Sequence, residues 1–248
     1  MAMKGTLGLA LALLFAAPAI AQDAAGLIAE GDAHYEQRED PGRARLAVDK
    51  YREAGRSGPG SYEARWKAAK ALFYIGRTAE DDKEKRRVFA EAIAEAKEAV
   101  RLRPDNVEGH FWLAASYGEY GQARGVLKSL SLRNDILREL NAAIRIDDRF
   151  DCGAVYVALG RIYYKVPRFF GGSLTRSRAY LEKAGEFCSR TTTNLLYLAE
   201  TYWALGERDL AIRALERLLE IEPYPAVLPE ARRDKADAAR LLESYRKH

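Results

Sequence analysis

Apolar positions recur along most of this chain at three- and four-residue steps, which place side chains on one face of an α-helix. The cleanest stretch is 192–223. Leu195, Leu198, Ala199 and Tyr202 share one face, and Gly206 interrupts the pattern. Ala211, Ala214, Leu215 and Leu218 share a second face that ends before Pro223. Glycine permits a tight reversal and proline cannot continue a helical ladder, so the segment predicts two antiparallel helices. One such pair cannot bury both of its stripes, and stacked neighbours are needed to complete the core.

The same two-helix pattern fits the chain five times. The first unit has helices near 23–36 and 42–56, with Ala47, Tyr51 and Ala54 marking the second. The second unit has helices near 61–76 and 81–103; Ala92, Ala96 and Ala99 share a face and Pro104 closes it. The third opens at 109–120 and resumes at 136–147, after an insertion near 121–133. The fourth has a helix over 154–165, a loop at 167–172 and a second helix over 173–187, with Ser173 as its N-cap. A last, polar helix near 228–246 suits the exposed end of a stack. Equivalent first-helix positions are Gly31, Ala69, Ala114, Gly160 and Ala199, spaced 38, 45, 46 and 39 residues apart. All five are small, as close helix packing requires. The pattern resembles the tetratricopeptide repeat, whose ideal period is about 34 residues, so the extra length falls in loops and longer helices. That resemblance implies an all-α, tetratricopeptide-repeat-like α-solenoid of about five helix pairs plus a C-terminal capping helix, and a binding role in preference to catalysis.

The N-terminus changes the setting. Lys4 precedes an apolar run through Phe15, and Ala19-Ile20-Ala21 supplies a small-residue cut site. This predicts a secretory signal peptide over 1–21 cut after Ala21, and a mature domain over 22–248. The run is too short for a spanning helix, which needs about 20 apolar residues. The expected product is periplasmic and does not span a membrane once the signal is removed. No cysteine follows the cut, so a lipid-modified start is not expected. The net charge of +4 is small and evenly interspersed with acids, which argues against a nucleic-acid partner. The two cysteines, Cys152 and Cys188, fall just before the first helix and at the end of the second helix of the fourth unit. Antiparallel helices bring such ends together. A bridge stapling that unit is one reading, and two buried free thiols are the other.

Beside the core stripe of each first helix runs a second column. Its first members are Ile28, Trp66, Phe111, Val157 and Leu196, all apolar. The next are Asp32, Lys70, Ala115, Arg161 and Glu200, and the last are Tyr35, Phe73, Gly118, Tyr164 and Trp203. One reading packs successive first helices along this column, with the aromatics as core. The other makes it a groove for an amphiphilic ligand or a partner helix, lined by Trp66, Phe73, Phe111, Tyr164 and Trp203, with Lys70, Arg161 and Lys165 free to meet a carboxylate. The loop residues Phe169 and Phe170 either fold back to plug the end of a helix pair or form a lip at a binding site. The 121–133 segment, with Arg124, Lys128 and Arg133, is either a solvated connector or a docking element.

Catalytic patterns are missing from the sequence. His34, His110 and His248 are far apart, and none sits in a metalloprotease motif. His110 falls on a core stripe. Nucleophile elbows, phosphate loops and dinucleotide fingerprints are also missing. The chain therefore reads as a non-enzyme that needs no metal or cofactor.

The stretches 108–130 and 149–184 are more specific than a generic repeat. They hold the Gly-His-Phe-Trp start at 109–112, the Gly-rich basic segment after Gly121, and the run from Leu159 to Ser173 through Pro167 and the glycine pair. In these features the chain resembles the T-component (TatT) family of tetratricopeptide-repeat-associated TRAP transporters. The resemblance implies a periplasmic accessory that docks a solute-binding protein of a TRAP-type transport system and, in a fuller version, holds a small organic-acid or hydrophobic ligand. The alternative is a periplasmic tetratricopeptide-repeat scaffold for protein–protein interaction in envelope assembly.

Overall fold

The computed structural model describes residues 16–56 and 61–247. The part of the expected export signal before Ala16 lies outside the described residues, and the first helix runs through the expected cut after Ala21. Among the described residues there are eleven α-helices, two short 3₁₀ turns and no strand. The first helices of successive units are α1 (Ala16–Glu36), α3 (Ser61–Thr78), α5 (Val107–Arg124), α7 (Phe150–Lys165) and α9 (Thr192–Ala204). Their partners are α2 (Pro41–Ala54), α4 (Asp82–Leu102), α6 (Val126–Ile146), α8 (Leu174–Phe187) and α10 (Arg208–Glu220), and α11 (Leu228–Arg246) closes the chain. Each helix packs on the next, and each first helix also touches the first helix of the following unit, as expected of an all-α solenoid. No helix among the described residues is long and apolar enough to cross a membrane.

The small-residue column sets the spacing within pairs. A Cβ on Gly31 would stand 2.5 Å from the ring of Tyr51, and one on Gly160 would stand 2.5 Å from Cγ of Leu181. Ala69, Ala114 and Ala199 are buried at the equivalent places. Buried polar groups then cross-link the stack. Glu95 on α4 accepts from Arg52 on α2 at 2.8 Å and from Arg65 on α3 at 2.7 Å. Asp234 on α11 accepts from the hydroxyls of Thr192 at 2.7 Å and Thr193 at 2.6 Å, fixing the last helix to the start of α9. Asp40, Asp81 and Ser173 each cap a helix by accepting from a backbone N–H in its first turn.

Two sequence expectations change. The 121–133 segment is not a loop insertion: α5 continues to Arg124, Gly125 alone turns the chain at φ 95°, and α6 starts at Val126. The extra length of the third unit is therefore carried by longer helices. The loop at 167–172 does not plug a helix end either, because Phe169 is fully exposed and Phe170 is 57% exposed. Cys152 and Cys188 are joined as a disulfide, with Cα atoms 5.1 Å apart. The bridge anchors a turn in which Asp151, Cys152 and Gly153 all take positive φ.

Candidate functional site

The stack curls until its ends meet. Arg38, in the turn between α1 and α2, is only 4% exposed. Its Nε donates to Glu230 on α11 at 3.0 Å, and its Nη2 donates to Glu230 at 2.6 Å and to the carbonyl of Ala226 at 2.6 Å. The guanidinium lies over Tyr35 and Tyr74, 4.6 and 5.3 Å from the ring centres. Beside it Arg232 pairs with Glu39 at 2.7 Å, and Arg233 sits over Tyr74 at 5.2 Å. Burial opposes the charge on Arg38, but the hydrogen bonds to Glu230 together with the fields of Tyr35, Glu230 and Tyr74 outweigh it and hold the guanidinium above its ordinary pKa. A pair separated by 192 residues thus joins the first unit to the last helix.

Closure leaves a cavity of about 340 Å³ on the inner wall, lined from α3, α5, α7, α9 and α11. Three cations reach it, each with an anion of this chain. Arg77 donates to Glu119 at 2.9 Å, Arg161 pairs with Glu200, and Arg240 pairs with Asp237. Arg161 also lies over Tyr197 at 4.0 Å and Tyr164 at 5.3 Å. Burial opposes the charge of Arg77, yet Tyr197 and Glu119 raise its pKa. Leu196 and Leu241 supply apolar lining between these pairs.

Lys70 on α3 and Trp112 on α5 meet beside Tyr35. The ammonium of Lys70 stands 5.1 Å from the ring centre of Tyr35 and 5.9 Å from that of Trp112, and Lys70 makes no ion pair among the described residues. Burial pushes its pKa down, against an opposing pull from Asp151. Nε1 of Trp112 is buried without a hydrogen-bond partner.

The structure distributes the expected groove residues between core, wall and edge. Phe111 is buried against Trp112 and Phe150, and Phe73 packs edge-on against Phe89 and Trp112. Trp66 packs against the same core. Trp203 stacks on Tyr245 of α11, with centroids 3.8 Å apart. The last helix thus covers the position where a groove was expected. Arg161 and Tyr164 meet on the inner wall, whereas Lys165 is exposed at the end of α7. Phe169 and Phe170 lie on the outer edge, in a 3₁₀ turn. Sequence reasoning missed Arg38, Arg77, Glu119, Trp112, Glu230, Asp237 and Arg240. One signal was available: Arg161 and Glu200 are equivalent column members of opposite sign in adjacent units. The Arg38–Glu230 pair had no local signal. Among the described residues no cluster of ligating side chains could hold a metal ion.

A family model described as RMD1-3, regulator of microtubule dynamics protein 1-3, matches residues 27–169, more than half of the chain. Among solved structures the chain is similar to TTC0263, a thermophilic TPR protein of Thermus thermophilus, with TM-score 0.64 and 21% identity, over 87% of this chain and 98% of that one. A weaker likeness is to MamA, with TM-score 0.48 and 18% identity, over 87% of this chain and 95% of that one. No curated protein matches the chain. The first likeness gives the fold, a tetratricopeptide-repeat-type solenoid.

Proposed function

The chain belongs to the family of regulator of microtubule dynamics proteins 1-3, and from that premise we propose that it is a non-enzymatic scaffold that binds a protein partner at the mouth of its closed ring. The observation that carries this reading is the set of three ion pairs around Leu196 and Leu241 on five converging helices. Apolar contacts rimmed by exchangeable charge pairs are what a specific protein interface uses. The partner proposed is a periplasmic solute-binding protein of a TRAP-type transport system. The resemblance of 108–130 and 149–184 and the expected export signal support that choice. The test is titration calorimetry with a purified TRAP solute-binding protein. Arg240→Glu changes a side chain that is 77% exposed, so it leaves the fold intact. It should weaken binding by about tenfold, as expected for one reversed interface charge. Equal affinity of variant and parent would remove the mouth as the docking surface. Binding to an envelope-assembly component instead of the receptor would favour the scaffold alternative, and co-sedimentation with microtubules would favour the activity in the family's name.

One observation supports a second role beside Trp112. Lys70, without an ion pair, and the unpartnered Nε1 of Trp112 offer two donors beside aromatic rings. A small carboxylate ligand would satisfy both. A Trp fluorescence response to organic acids that vanishes in Lys70→Met supports this; an unresponsive parent refutes it.

A further inference from the structure

The outer edge opposite in character to the mouth is made by the turn between α5 and α6 and by the loop between α7 and α8. Both are turns within a unit, so a stack of antiparallel pairs places them along the same edge. Arg133 on α6 joins them by donating to the carbonyl of Gly171 at 3.5 Å. Four large apolar side chains project there: Val126 is 66% exposed, Leu127 85%, Phe170 57%, and Phe169 fully exposed. None of them contributes to the core.

The loop presents its phenylalanines on a rigid frame. Gly172 N–H donates to Pro167 O at 3.2 Å, and Ser173 N–H donates to Tyr163 O at 2.9 Å. Gly171 takes φ 89°, and a Cβ there would stand 2.8 Å from the Arg133 guanidinium. A Cβ on Gly172 would collide with the carbonyl of Val166 at 1.7 Å. Both glycines are therefore required by this conformation, which points Phe169 and Phe170 away from the protein.

The charge around these tips is one-sided. The chain carries 36 acidic residues, yet none occurs from 120 to 134 or from 152 to 181. The first of these stretches holds Arg124, Lys128 and Arg133, and the second holds Arg168 and Arg176 near the loop. The nearest acids face elsewhere: Glu119 binds Arg77 at the inner cavity, and Asp135 binds Arg138 at 2.7 Å. Acidic residues in neighbouring turns, Glu80 to Asp82 on one side and Glu207 on the other, confine the basic apolar patch to the two central units.

We propose that this edge is a docking surface for an anionic lipid bilayer. Projecting apolar tips suit a flat, fluid surface better than a protein partner, which would have to supply a matching cleft. Aromatic and aliphatic tips enter the headgroup region while surrounding Lys and Arg are drawn to anionic lipid. The contact is peripheral, and its apolar tips are not among the residues that line the mouth proposed for the protein partner. It does not depend on that partner's identity.

The test uses the full chain and vesicles of phosphatidylcholine with and without phosphatidylglycerol. The N-terminal segment is common to parent and variants, so differences between them report on the edge. Binding should require phosphatidylglycerol and weaken with salt. The triple variant Leu127→Ser, Phe169→Ser, Phe170→Ser and the double variant Lys128→Glu, Arg168→Glu should each bind at least about tenfold less well. All five positions lie on the outer edge, so circular dichroism melts should match the parent. Phe169→Trp, excited beside vesicles, should shift its emission to the blue relative to the parent chain. Three results would overturn the proposal: no phosphatidylglycerol-dependent binding, equal binding by both multiple variants, or an unshifted Phe169→Trp spectrum on bound chain. So would loss of the receptor titration in the edge variants with vesicles ignored, since the edge would then be a protein contact.

Discussion

His110 shows how one side chain on a core stripe becomes a pH-dependent fastener. It is buried between α5 and α6, with Nδ1 2.7 Å from Glu139 and Nε2 2.8 Å from the carbonyl of Pro104. With Glu139 ionised both partners accept, so the arrangement favours the imidazolium, which can donate from both ring nitrogens. Glu139 is the main cause of the raised His110 pKa, against the effect of burial. For Glu139, burial opposes ionisation, but His110 and Arg138 outweigh it and lower the pKa. The signs fix a window. The contribution of His110 is complete below its unfolded pKa of about 6.5 and is lost as pH rises through the raised folded value. That of Glu139 is complete above its unfolded pKa of about 4.3 and is lost as pH falls through the lowered folded value. Thermal melts should therefore show greatest support from this pair between those limits. His110→Gln should cost about 2–4 kcal/mol near pH 6 and flatten the alkaline limb. An unchanged alkaline limb would contradict the assignment. The burial of His110 was readable from its helical position, whereas its acidic partner, 29 residues away, was not.

At the scale of elements, pairing within each unit follows from local periodicity, and the fourth unit adds a covalent link. The disulfide joins the start of α7 to the end of α8 across a separation of 36 residues. Closing a loop of that length in the unfolded chain is worth about 3–4 kcal/mol in the chain-entropy picture. Cys152→Ser with Cys188→Ser should lower stability by that order, and reductant should move the parent's melt towards the variant's. Thiol titration of the unfolded, unreduced chain should find none; two titratable thiols would show that the link is not made. The element boundaries were legible wherever glycine or proline broke the pattern, as at Gly206 and Pro223. They were misread at 121–133, because the polar, basic ends of α5 and α6 look like a connector. Helix ends exposed to solvent need no apolar stripe, so periodicity fades before the helix does. The loop at 167–172 was located correctly, yet the direction of its phenylalanines depends on the hydrogen bonds to Pro167 and Tyr163 and on space available only to Gly171 and Gly172.

For the whole molecule the decisive feature is closure. Arg38 is held by Glu230 and Ala226 on the far end of the chain, with Arg232–Glu39 beside it. Arg38→Ala removes the buried half of this contact and should destabilise the protein by about 2–3 kcal/mol. The more telling outcome is where the loss appears. Backbone amides of α11 (Leu228–Arg246) should exchange faster, while those of α5 and α6 stay protected. Small-angle scattering should report a larger radius as the ends part. Uniform exchange across the chain would mean that the contact does not hold the ring. An opened ring would also separate Asp237 and Arg240 from the other lining groups of the mouth, so the same variant should weaken the proposed receptor contact.

The sequence by itself determined the all-α class, the helix pairs, the small residues that let helices approach, and the apolar column. Each depends on spacing over a few turns, where helix geometry converts residue number directly into position. The tertiary structure alone decided that the column is shared between core, inner wall and the cover provided by α11. It also decided that Arg161 is matched by Glu200, and that Phe169 stands in solvent among basic residues on the outer edge. The physical reason is cumulative. Curvature is the sum of small rotations between successive packed pairs, each set by side-chain shape. Only after five pairs have added their rotations do residues 192 positions apart meet, and no local pattern records that sum.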